Sequence, residues 1–379
     1  MERAWVGIMA NYFLHFNGSN EPSYPFWGEG FTGKHSLDHE SFLRELGFRR
    51  IDAFFYRWPE EPKDSLNARM DGILGGLKVN DCLVVQWPLP EMGERWLQKL
   101  FEKVHEFGAK LIFLINDLTS LRHGLILPEK HNQGEIQKTL RSPELKPEMI
   151  FLHQADAVIT SSEQMAQQLK KELALTGQKL SPHVTWLGPD GYRTRYFQGH
   201  RDFKQGIDFV GSLPTAPFLS QLPEDLHLNV YGSQSQNQPL SQHKNVTLYP
   251  WSDPEAIPQL LKGAYGLVWD STQYPNVAGP LGEYEKYHTS VTLAMHLAAN
   301  EPVIVWSQAV IADFVRKNGL GLVIDSLEQL SKRIAAIADS DYNHTINNVE
   351  RISPLIREGF YLKKAMLNVI AMMFDRAND

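Results

Sequence analysis

The sequence predicts an α/β protein built from two domains, each with a parallel sheet. Two observations favour this fold class: short apolar runs alternate with helical segments twice along the 379 residues, and the alternation is interrupted once. Such an alternation is typical of parallel strands joined by right-handed crossovers. The interruption, rich in Pro, Gly, His and Arg, covers about residues 181–201. We therefore assign residues 1–190 to the first domain and residues 191–355 to the second.

Each domain has its own series of apolar runs and helical segments. In the first, we predict strands at residues 4–9, 50–55, 82–86, 111–115 and 157–160, and helices at residues 37–46, 65–77, 94–107 and 162–173. In the second, we predict strands at residues 206–210, 226–231, 246–249, 266–269, 302–305 and 321–324, and helices after Tyr287 and at residues 311–318. The end of the chain, residues 356–374, predicts one long amphipathic helix.

Composition excludes several classes of protein. The net charge of −7 argues against a general nucleic-acid binder. The single cysteine, Cys82, lies in an apolar run, so neither an internal disulfide nor a cysteine metal site is expected. No apolar run reaches transmembrane length. The first residues, MERAWVGIMANYF, lack the pattern of a signal peptide, so we expect a cytoplasmic protein.

We recognise no sequence motif that indicates a metal site or a nucleotide site. We expect no zinc site, because the spacing of the 14 histidines and of nearby carboxylates does not indicate a ligand set. No D-x-D carboxylate pair stands where a metal-dependent transferase would need one. The glycine-rich stretch at residues 28–33 matches neither a dinucleotide fingerprint nor a phosphate-binding loop of the Walker type. It predicts either a flexible surface loop or a loop that covers a ligand.

Two polar residues of the first domain, each placed just after a predicted strand, are candidate bases. Asp117 comes directly after the strand at residues 111–115, on the side of a parallel sheet where ligands usually bind. It would accept a proton from a hydroxyl, or else cap the next helix. His15, placed just after the first strand, would also reach a cleft between the domains. A structural role is the alternative for this histidine.

In the second domain, two features suit a nucleotide. Tyr231 ends a predicted strand and is followed by a small-residue turn, which suits a base or ribose but is also an ordinary strand end. The helix after Tyr287 begins among the hydroxyls of Thr289, Ser290 and Thr292. A helix N-terminus with hydroxyls around it suits phosphate, although most such helices in α/β proteins bind no ligand.

Nine segments in order along nearly the whole chain resemble the glucosyltransferase-3-like family of bacterial accessory glycosyltransferases, and the related galactofuranosyltransferases. They are LGFRRIDAFFY, ARMDGILGGLKVNDCLVVQWP, AKLIFLINDL, ADAVITSSEQM, IDFVGS, LNVYGS, GAYGLVWD, YHTSVTLAMHLAANEPVIV and LIREGFYLKK. The resemblance implies the GT-B fold, two Rossmann-like domains facing a central cleft, with the C-terminal segment 356–379 packing back on the first domain. It also implies a homo-oligomer.

The resemblance further implies a donor and a set of donor-binding residues. The donor would be a nucleotide sugar, UDP-linked, with no metal required and no cofactor. Matched segment by segment, the family's nucleotide-binding positions fall on the residues Thr32, Gln205, Tyr231, Ser290, Val291, Thr292, Leu293, Ala294 and Met295. The Thr32 placement needs a gap of one residue.

Two of these positions depart from the family pattern. The family has a basic residue at the place of Gln205 and a lysine at the place of Thr292, both facing the diphosphate. Charge-assisted hydrogen bonds of this kind contribute about 1.5–3 kcal/mol each. Replacement cations from nearby sequence are Arg193, Arg195, Arg201, Lys204 and Lys286.

The sequence therefore predicts a glycosyltransferase that moves a hexose from a UDP-sugar to a hydroxyl of an acceptor sugar, in the glycosylation of a serine-rich-repeat adhesin. One alternative is a galactofuranosyl or hexosyl transferase of capsule or exopolysaccharide assembly. The other is a catalytically inactive subunit of the same fold that binds a glycosylated partner, which the missing cations favour.

Overall fold

The computed structural model of the protein describes residues 10–17, 30–54, 56, 58, 60–89, 93–126, 136, 138–197, 199, 206–232, 240–250 and 252–375. Two parallel sheets of six strands each organise this part of the chain. Every strand pairing in both sheets is parallel. The two-domain α/β fold predicted from the sequence is therefore confirmed.

The first sheet has the strand order β2-β1-β3-β4-β5-β6. Its strands are β1 (Asn11–Asn17), β2 (Arg49–Phe54), β3 (Cys82–Trp87), β4 (Lys110–Ile115), β5 (Ala157–Thr160) and β6 (His183–Trp186). The helices that accompany it are α1 (Gly30–Glu45), α2 (Lys63–Leu74), α3 (Glu94–Glu106), α4 (Thr119–Arg122), α5 (Leu145–Phe151) and α6 (Glu163–Leu175).

The second sheet has the order β12-β11-β10-β7-β8-β9. Its strands are β7 (Ile207–Val210), β8 (Leu228–Tyr231), β9 (Val246–Tyr249), β10 (Tyr265–Val268), β11 (Val303–Trp306) and β12 (Gly321–Ile324). The helices that follow β9 are α7 (Ile257–Leu260), α8 (Gly279–Tyr284), α9 (Val291–Ala298), α10 (Ala312–Asn318), α11 (Leu330–Ala335), α12 (Asp339–Arg357) and α13 (Phe360–Phe374).

Most predicted strands lie within two residues of an observed one, but three assignments need comment. The predicted strand at residues 4–9 lies outside the described residues. Strand β1, which follows it in sequence, was not predicted, because Asn and His interrupt its apolar pattern. Strand β6 lies inside the stretch that we assigned to the domain interruption. It is a short edge strand with one buried residue, so it lacks the apolar run that marks the central strands.

The glycine-rich stretch at residues 28–33 was predicted as a loop, but from Gly30 onward it forms the first turn of α1. The boundary at residue 190 stays a prediction, although the chain passes from the first sheet to the second between Trp186 and Ile207. None of the helices in the described ranges is both long enough and apolar enough to cross a membrane.

The end of the chain crosses back to the first domain, as the family resemblance implied. Buried side chains of α13, among them Leu362 and Met366, pack with Phe13 of β1, Ile112 of β4 and Phe42 of α1. This contact covers one face of the first sheet. A second buried cluster, from α2, α3, α5 and α6, covers the opposite face, so the sheet is buried on both sides as parallel sheets require.

The prediction of one helix over residues 356–374 was wrong. Helix α12 ends at Arg357, and α13 begins at Phe360. Gly359 between them has φ +62°, in the left-handed region that ends helices and favours glycine. The amphipathic pattern continues across the break, so periodicity alone did not reveal it. The break lets α12 stay with the second domain while α13 covers the first.

We expect Gly359→Ala to destabilise the protein more than a matched change, Gly47→Ala. Both glycines have positive φ, +62° and +87°, so an alanine at either costs about 1–2 kcal/mol of backbone strain. A Cβ at Gly359 would also lie 2.3 Å from Cγ of Phe42, whereas a Cβ at Gly47 meets no atom within 4 Å. Overpacking should therefore add about 1–3 kcal/mol at Gly359. Urea unfolding measures both variants; equal losses would contradict this packing.

Candidate functional site

The carboxyl ends of the strands define the functional side of each sheet. In open parallel sheets, ligands bind beyond these ends, close to the strands where the direction of strand order reverses. Those strands are β1 and β3 in the first sheet, and β7 and β10 in the second. Asn116 and Asp117 follow β4, next to β3, and Asp270 follows two residues after β10. Asp117, the first candidate base, therefore lies on the expected side of its sheet.

A segment of the second domain, residues 284–290 between α8 and α9, contacts the strand ends of the first domain. The Tyr284 hydroxyl donates to Oδ1 of Asp117 at 2.5 Å and accepts from the backbone N–H of Leu118 at 3.0 Å. The Thr289 N–H donates to Oγ of Ser161 at 2.8 Å. Tyr284 is buried within the first domain's core cluster. We call this stretch the bridging segment, because it sets the start of α9 against the first domain.

Asp117 is a bonded carboxylate with one-fifth of its side chain exposed. Its Oδ2 accepts from Nη1 of Arg122 at 2.9 Å, and the side chain is 20% exposed. It does not cap the next helix, because α4 begins after Leu118, which makes no side-chain cap. The capping alternative is therefore wrong. The proton-acceptor role stays a prediction. Both oxygens of this carboxylate already accept hydrogen bonds, one from Tyr284 and one from Arg122.

Ser290 caps α9, and the predicted donor-binding run divides at this helix start. The Ser290 Oγ accepts from the Thr292 N–H at 3.3 Å and lies 2.7 Å from the Thr292 hydroxyl. Ser290, Val291 and Thr292 are partly exposed. Buried in the core of the second domain are the side chains of Leu293, Ala294 and Met295. Of the run, only the first three residues have partly exposed side chains.

Thr289, just before the cap, is 5% exposed, and its hydroxyl has no hydrogen-bond partner among the described residues. Buried polar groups are nearly always hydrogen-bonded. A buried hydroxyl without a partner at a helix N-terminus is therefore consistent with a ligand that supplies the partner. This second feature of the helix start was not recognised from the sequence, where Thr289 was one of several hydroxyls.

The remaining donor-binding predictions have different outcomes. Tyr231 ends β8, but its side chain is 3% exposed, its ring stacks on Tyr249 at 4.6 Å, and its hydroxyl donates to the Leu260 carbonyl at 2.9 Å. A stacking role with a nucleotide base would require this ring to leave Tyr249. Thr32 lies in the first turn of α1. Gln205 lies outside the described residues.

His15 lies within β1, not after it as predicted. Its Nδ1 is 2.7 Å from Oε1 of Glu40, which is buried on α1. A carboxylate on one ring nitrogen fixes the orientation of the imidazole. The arrangement is compatible with a base and also with a structural ion pair, so both alternatives for His15 stay open.

Three residues that the sequence analysis missed converge beside this pair. His35 and His39, one turn apart on α1, both direct Nε2 toward Asp190, at 2.6 Å and 2.9 Å. His35-Ser36-Leu37-Asp38-His39 is an H-x-x-x-H spacing, so the statement that the histidines show no metal-ligand spacing was wrong. Burial disfavours the charged form of His39, but the Asp190 carboxylate outweighs it and raises the His39 pKa.

His288, in the bridging segment, faces the same residues from the second domain. Its Nε2 donates to the Asn116 carbonyl at 3.0 Å, and its ring stacks on Tyr284 at 5.0 Å. Burial lowers the pKa of His288, so the neutral imidazole is favoured. The Tyr284 pKa is raised, by burial first and then by the Asp117 charge, so its hydroxyl keeps the proton that it donates.

A pair of carboxyl groups stands at the end of β10 on the donor side. The Asp270 N–H donates to Oε1 of buried Glu285 at 2.6 Å. Burial raises the pKa of both groups, and the Asp270 charge raises that of Glu285 further. Arg122 of the first domain acts in the opposite direction on the Asp270 pKa. The Arg122 guanidinium therefore lies near carboxyl groups of both domains.

The cations proposed to replace those at Gln205 and Thr292 have other partners where they are described. Arg193 pairs with Glu45 of α1, and Lys286 pairs with Glu283. Arg195 is exposed. Arg201 and Lys204 lie outside the described residues. Arg122, about half exposed and bonded to Asp117, is a cation of the cleft that the sequence analysis did not single out.

Known proteins share this fold. The crystal structure of WaaG, a glycosyltransferase involved in lipopolysaccharide biosynthesis, superposes with a TM-score of 0.55 at 13% identity, over 96% of this chain and 100% of that one. At that identity the likeness concerns the fold alone, and it is the GT-B fold. The fold implied by the resemblance is thereby confirmed.

Two relatives are similar in sequence over most of their length. Glucosyltransferase 3 of Streptococcus gordonii is 30% identical over 335 residues, 88% of this chain and 92% of the relative. Beta-1,6-galactofuranosyltransferase WbbI of Escherichia coli (strain K12) is 22% identical over 359 residues, 87% of this chain and 98% of the relative. Family models of the glucosyltransferase 3-like N-terminal and C-terminal domains match residues 24–176 and 207–369. The chain is therefore a glycosyltransferase that belongs to the glucosyltransferase 3-like family.

Proposed function

We propose that this glycosyltransferase moves a hexose from a UDP-sugar to a hydroxyl of an acceptor sugar, in the cytoplasm and as a homo-oligomer. The acceptor is the glycan of a serine-rich-repeat adhesin. The observation that carries the proposal is the start of α9, where the Ser290 cap and the unpartnered Thr289 hydroxyl are held against the first domain by the bridging segment. An anionic leaving group is stabilised at such a position by the helix dipole and by backbone N–H groups.

The donor's diphosphate leaves without a metal in this proposal. The bond from the anomeric carbon to the diphosphate oxygen breaks, and the negative charge that develops on that oxygen is stabilised by the N-terminus of α9 and the hydroxyls of Ser290 and Thr292. Arg122 supplies positive charge from the opposite domain, in place of the family's cations at Gln205 and Thr292. Its position between Asp117 and Asp270 supports this assignment.

The acceptor hydroxyl attacks the anomeric carbon as its proton passes to a base of the first domain. Asp117 is the first candidate, because it is an ionisable group at the cleft end of β4. Within the described structure it also orients Tyr284 and Arg122. His15, oriented by Glu40, is the second candidate. The contacts of Asp117 make its two functions, proton acceptor and anchor of the bridging segment, separable by mutation.

Two other functions each have an observation in their favour. Similarity to a beta-1,6-galactofuranosyltransferase favours a galactofuranosyl or hexosyl transferase of capsule or exopolysaccharide assembly. Thr292 in place of lysine favours a catalytically inactive subunit that binds a glycosylated partner. The three functions differ in donor binding and in acceptor, so one set of assays separates them.

Incubation with a panel of nucleotide sugars tests the proposed function directly. With a glycopeptide acceptor, mass spectrometry should detect addition of one hexose from a UDP-hexose and release of UDP. Transfer to a lipid-linked sugar, and none to the glycopeptide, would support polysaccharide assembly instead. No UDP binding in calorimetry and no turnover with any donor would contradict the enzymatic proposal and leave the inactive subunit.

Opposite changes of charge on the two sides of the cleft test the donor site. We expect Thr292→Lys to tighten UDP binding and Arg122→Gln to weaken it. A hydrogen bond between charged groups contributes about 1.5–3 kcal/mol, so each change should alter the dissociation constant by about tenfold or more. Isothermal titration calorimetry with UDP measures both.

Matched controls add or remove the same charges away from the cleft. Thr345→Lys introduces a lysine on α12, and Arg316→Gln removes an exposed arginine that pairs with Asp313 at i,i+3. Neither should change UDP affinity by more than about twofold, because exposed charges at a distance are screened by salt. Unchanged affinity in Thr292→Lys and Arg122→Gln would remove both residues from the diphosphate site.

Asp117→Asn tests the base. The amide still accepts from the Tyr284 hydroxyl but no longer takes a proton from the acceptor, so we expect kcat to fall by about 10²–10⁴-fold. UDP affinity and melting temperature should change little. Steady-state kinetics with a fixed acceptor gives kcat and KM separately.

Tyr284→Phe is the comparison variant, because it removes the interdomain hydrogen bond that Asp117→Asn keeps, and it leaves the Asp117 carboxylate in place. If Tyr284→Phe lowers kcat and Asp117→Asn does not, the role of Asp117 is to hold the bridging segment. Near-wild-type turnover of Asp117→Asn would move the base to His15, for which His15→Ala is the next variant.

A further inference from the structure

We infer that His35, His39 and Asp190 form a binding site for one divalent transition-metal ion of the zinc class. The three donor atoms lie within 4.8 Å of one another. Two histidines at i and i+4 on one helix face, joined by a carboxylate from a distant segment, are a ligand set that zinc takes in proteins. The inference does not depend on the proposed transfer reaction, which uses no metal.

The spacing of the donor atoms suits an ion between them. Nε2 of His35 is 2.6 Å from Oδ2 of Asp190, and Nε2 of His39 is 2.9 Å and 3.2 Å from its two oxygens. Ligand atoms that each lie about 2.0–2.2 Å from a zinc ion are separated by roughly 3 Å from one another. The nitrogen–oxygen separations of 2.6–3.2 Å in this cluster are close to that value.

A chain of buried side-chain amides runs close to the His39 ring. Gln86 Nε2 donates to the Ser36 carbonyl at 3.1 Å, and Asn116 Nδ2 donates to Gln86 Oε1 at 2.8 Å. Nε2 of His39 faces Asp190, whereas His39 Nδ1 and the Asn116 oxygen are buried and have no hydrogen-bond partner among the described residues. A proton on Nδ1 would leave a lone pair on Nε2 for a metal ion.

A lone pair on Nε2 and a carboxylate oxygen at hydrogen-bond distance repel unless a cation lies between them. A proton between Nε2 and the carboxylate oxygen takes the place of that cation for one of the two histidines. Two protonated rings, whose centroids are 4.2 Å apart, would repel each other. One divalent ion binds both ring nitrogens and the carboxylate together, and it avoids the contact between two positively charged rings.

The carboxylate is held in place for this role. Asp190 is buried, has φ +63° in the left-handed region, and its Oδ1 accepts from the Gly191 N–H at 2.7 Å. The His35 side chain is 12% exposed, so the cluster is not sealed. Three protein ligands leave a fourth position for water, as in open zinc sites. His35 and Asp190 both act on the pKa of His288, so the site borders the bridging segment.

Cobalt and zinc binding to the full chain, prepared without a histidine tag and stripped with chelator, tests the site. We expect one equivalent of Co²⁺ per chain to give the visible absorption of a nitrogen- and oxygen-ligated ion, which Zn²⁺ then displaces. His35→Gln and Asp190→Asn should weaken binding by at least about 10–100-fold, the loss found even for second-shell changes. The control His344→Gln removes an exposed histidine of α12 and should bind as the wild type does.

Two measurements on the wild type keep the inference falsifiable if a variant of these buried residues does not fold. Zinc should raise the melting temperature of the stripped protein, because the ion binds the folded chain only. Calorimetry in buffers of different ionisation enthalpy should show proton release on binding, because an imidazole that binds a metal ion must be neutral. Equal melting temperatures with and without zinc, or variants that match His344→Gln, would overturn the inference and leave a proton-linked ion pair.

Discussion

The relation between the two domains depends on the hydroxyl of Tyr284. It donates to Asp117 and accepts from the Leu118 N–H, both at the carboxyl end of β4, while its ring is buried in the first domain's core. Removing a buried hydroxyl that satisfies two partners costs about 1–3 kcal/mol for each partner left unsatisfied. Because α9 starts seven residues later, this side chain, together with the Thr289–Ser161 and His288–Asn116 hydrogen bonds, sets where the capped N-terminus of α9 lies relative to the first sheet.

That constraint changes how the candidate base is understood. Asp117 anchors a segment of the opposite domain. Because Tyr284 and Arg122 each donate to one of its oxygens, they fix the rotamer of its side chain. Catalytic groups function best when their positions are fixed before substrate binds. The same bonds occupy both oxygens of Asp117, so an acceptor hydroxyl would share an oxygen with Tyr284 or Arg122. Anchoring and proton transfer therefore compete for one side chain, whereas His15 is oriented at Nδ1 by Glu40 of its own domain.

The sequence predicted the features that short-range interactions determine, such as the positions of buried strands and of the residues that follow them. Strand β3 is buried at every position and has an uninterrupted apolar run, so its location was predictable. Asp117 was placed correctly at the cleft because a polar residue after such a strand marks the carboxyl edge. Its partner Tyr284 is 167 residues away, and Asp190 is 155 residues from His35; pairings of that separation are set by tertiary packing. The H-x-x-x-H spacing was visible in the sequence, but only the fold adds the third ligand.

The electrostatics of the cleft follow from the same packing. At the proposed donor site, the carboxylates of Asp270 and Glu285 would repel a diphosphate. Burial raises the pKa of both groups, which shifts them toward the neutral form and weakens that repulsion. A chain that buries its acids needs less positive charge beside the diphosphate than one that exposes them. Thr292 in place of a lysine is therefore compatible with donor binding, provided that Glu285 stays buried beside α9.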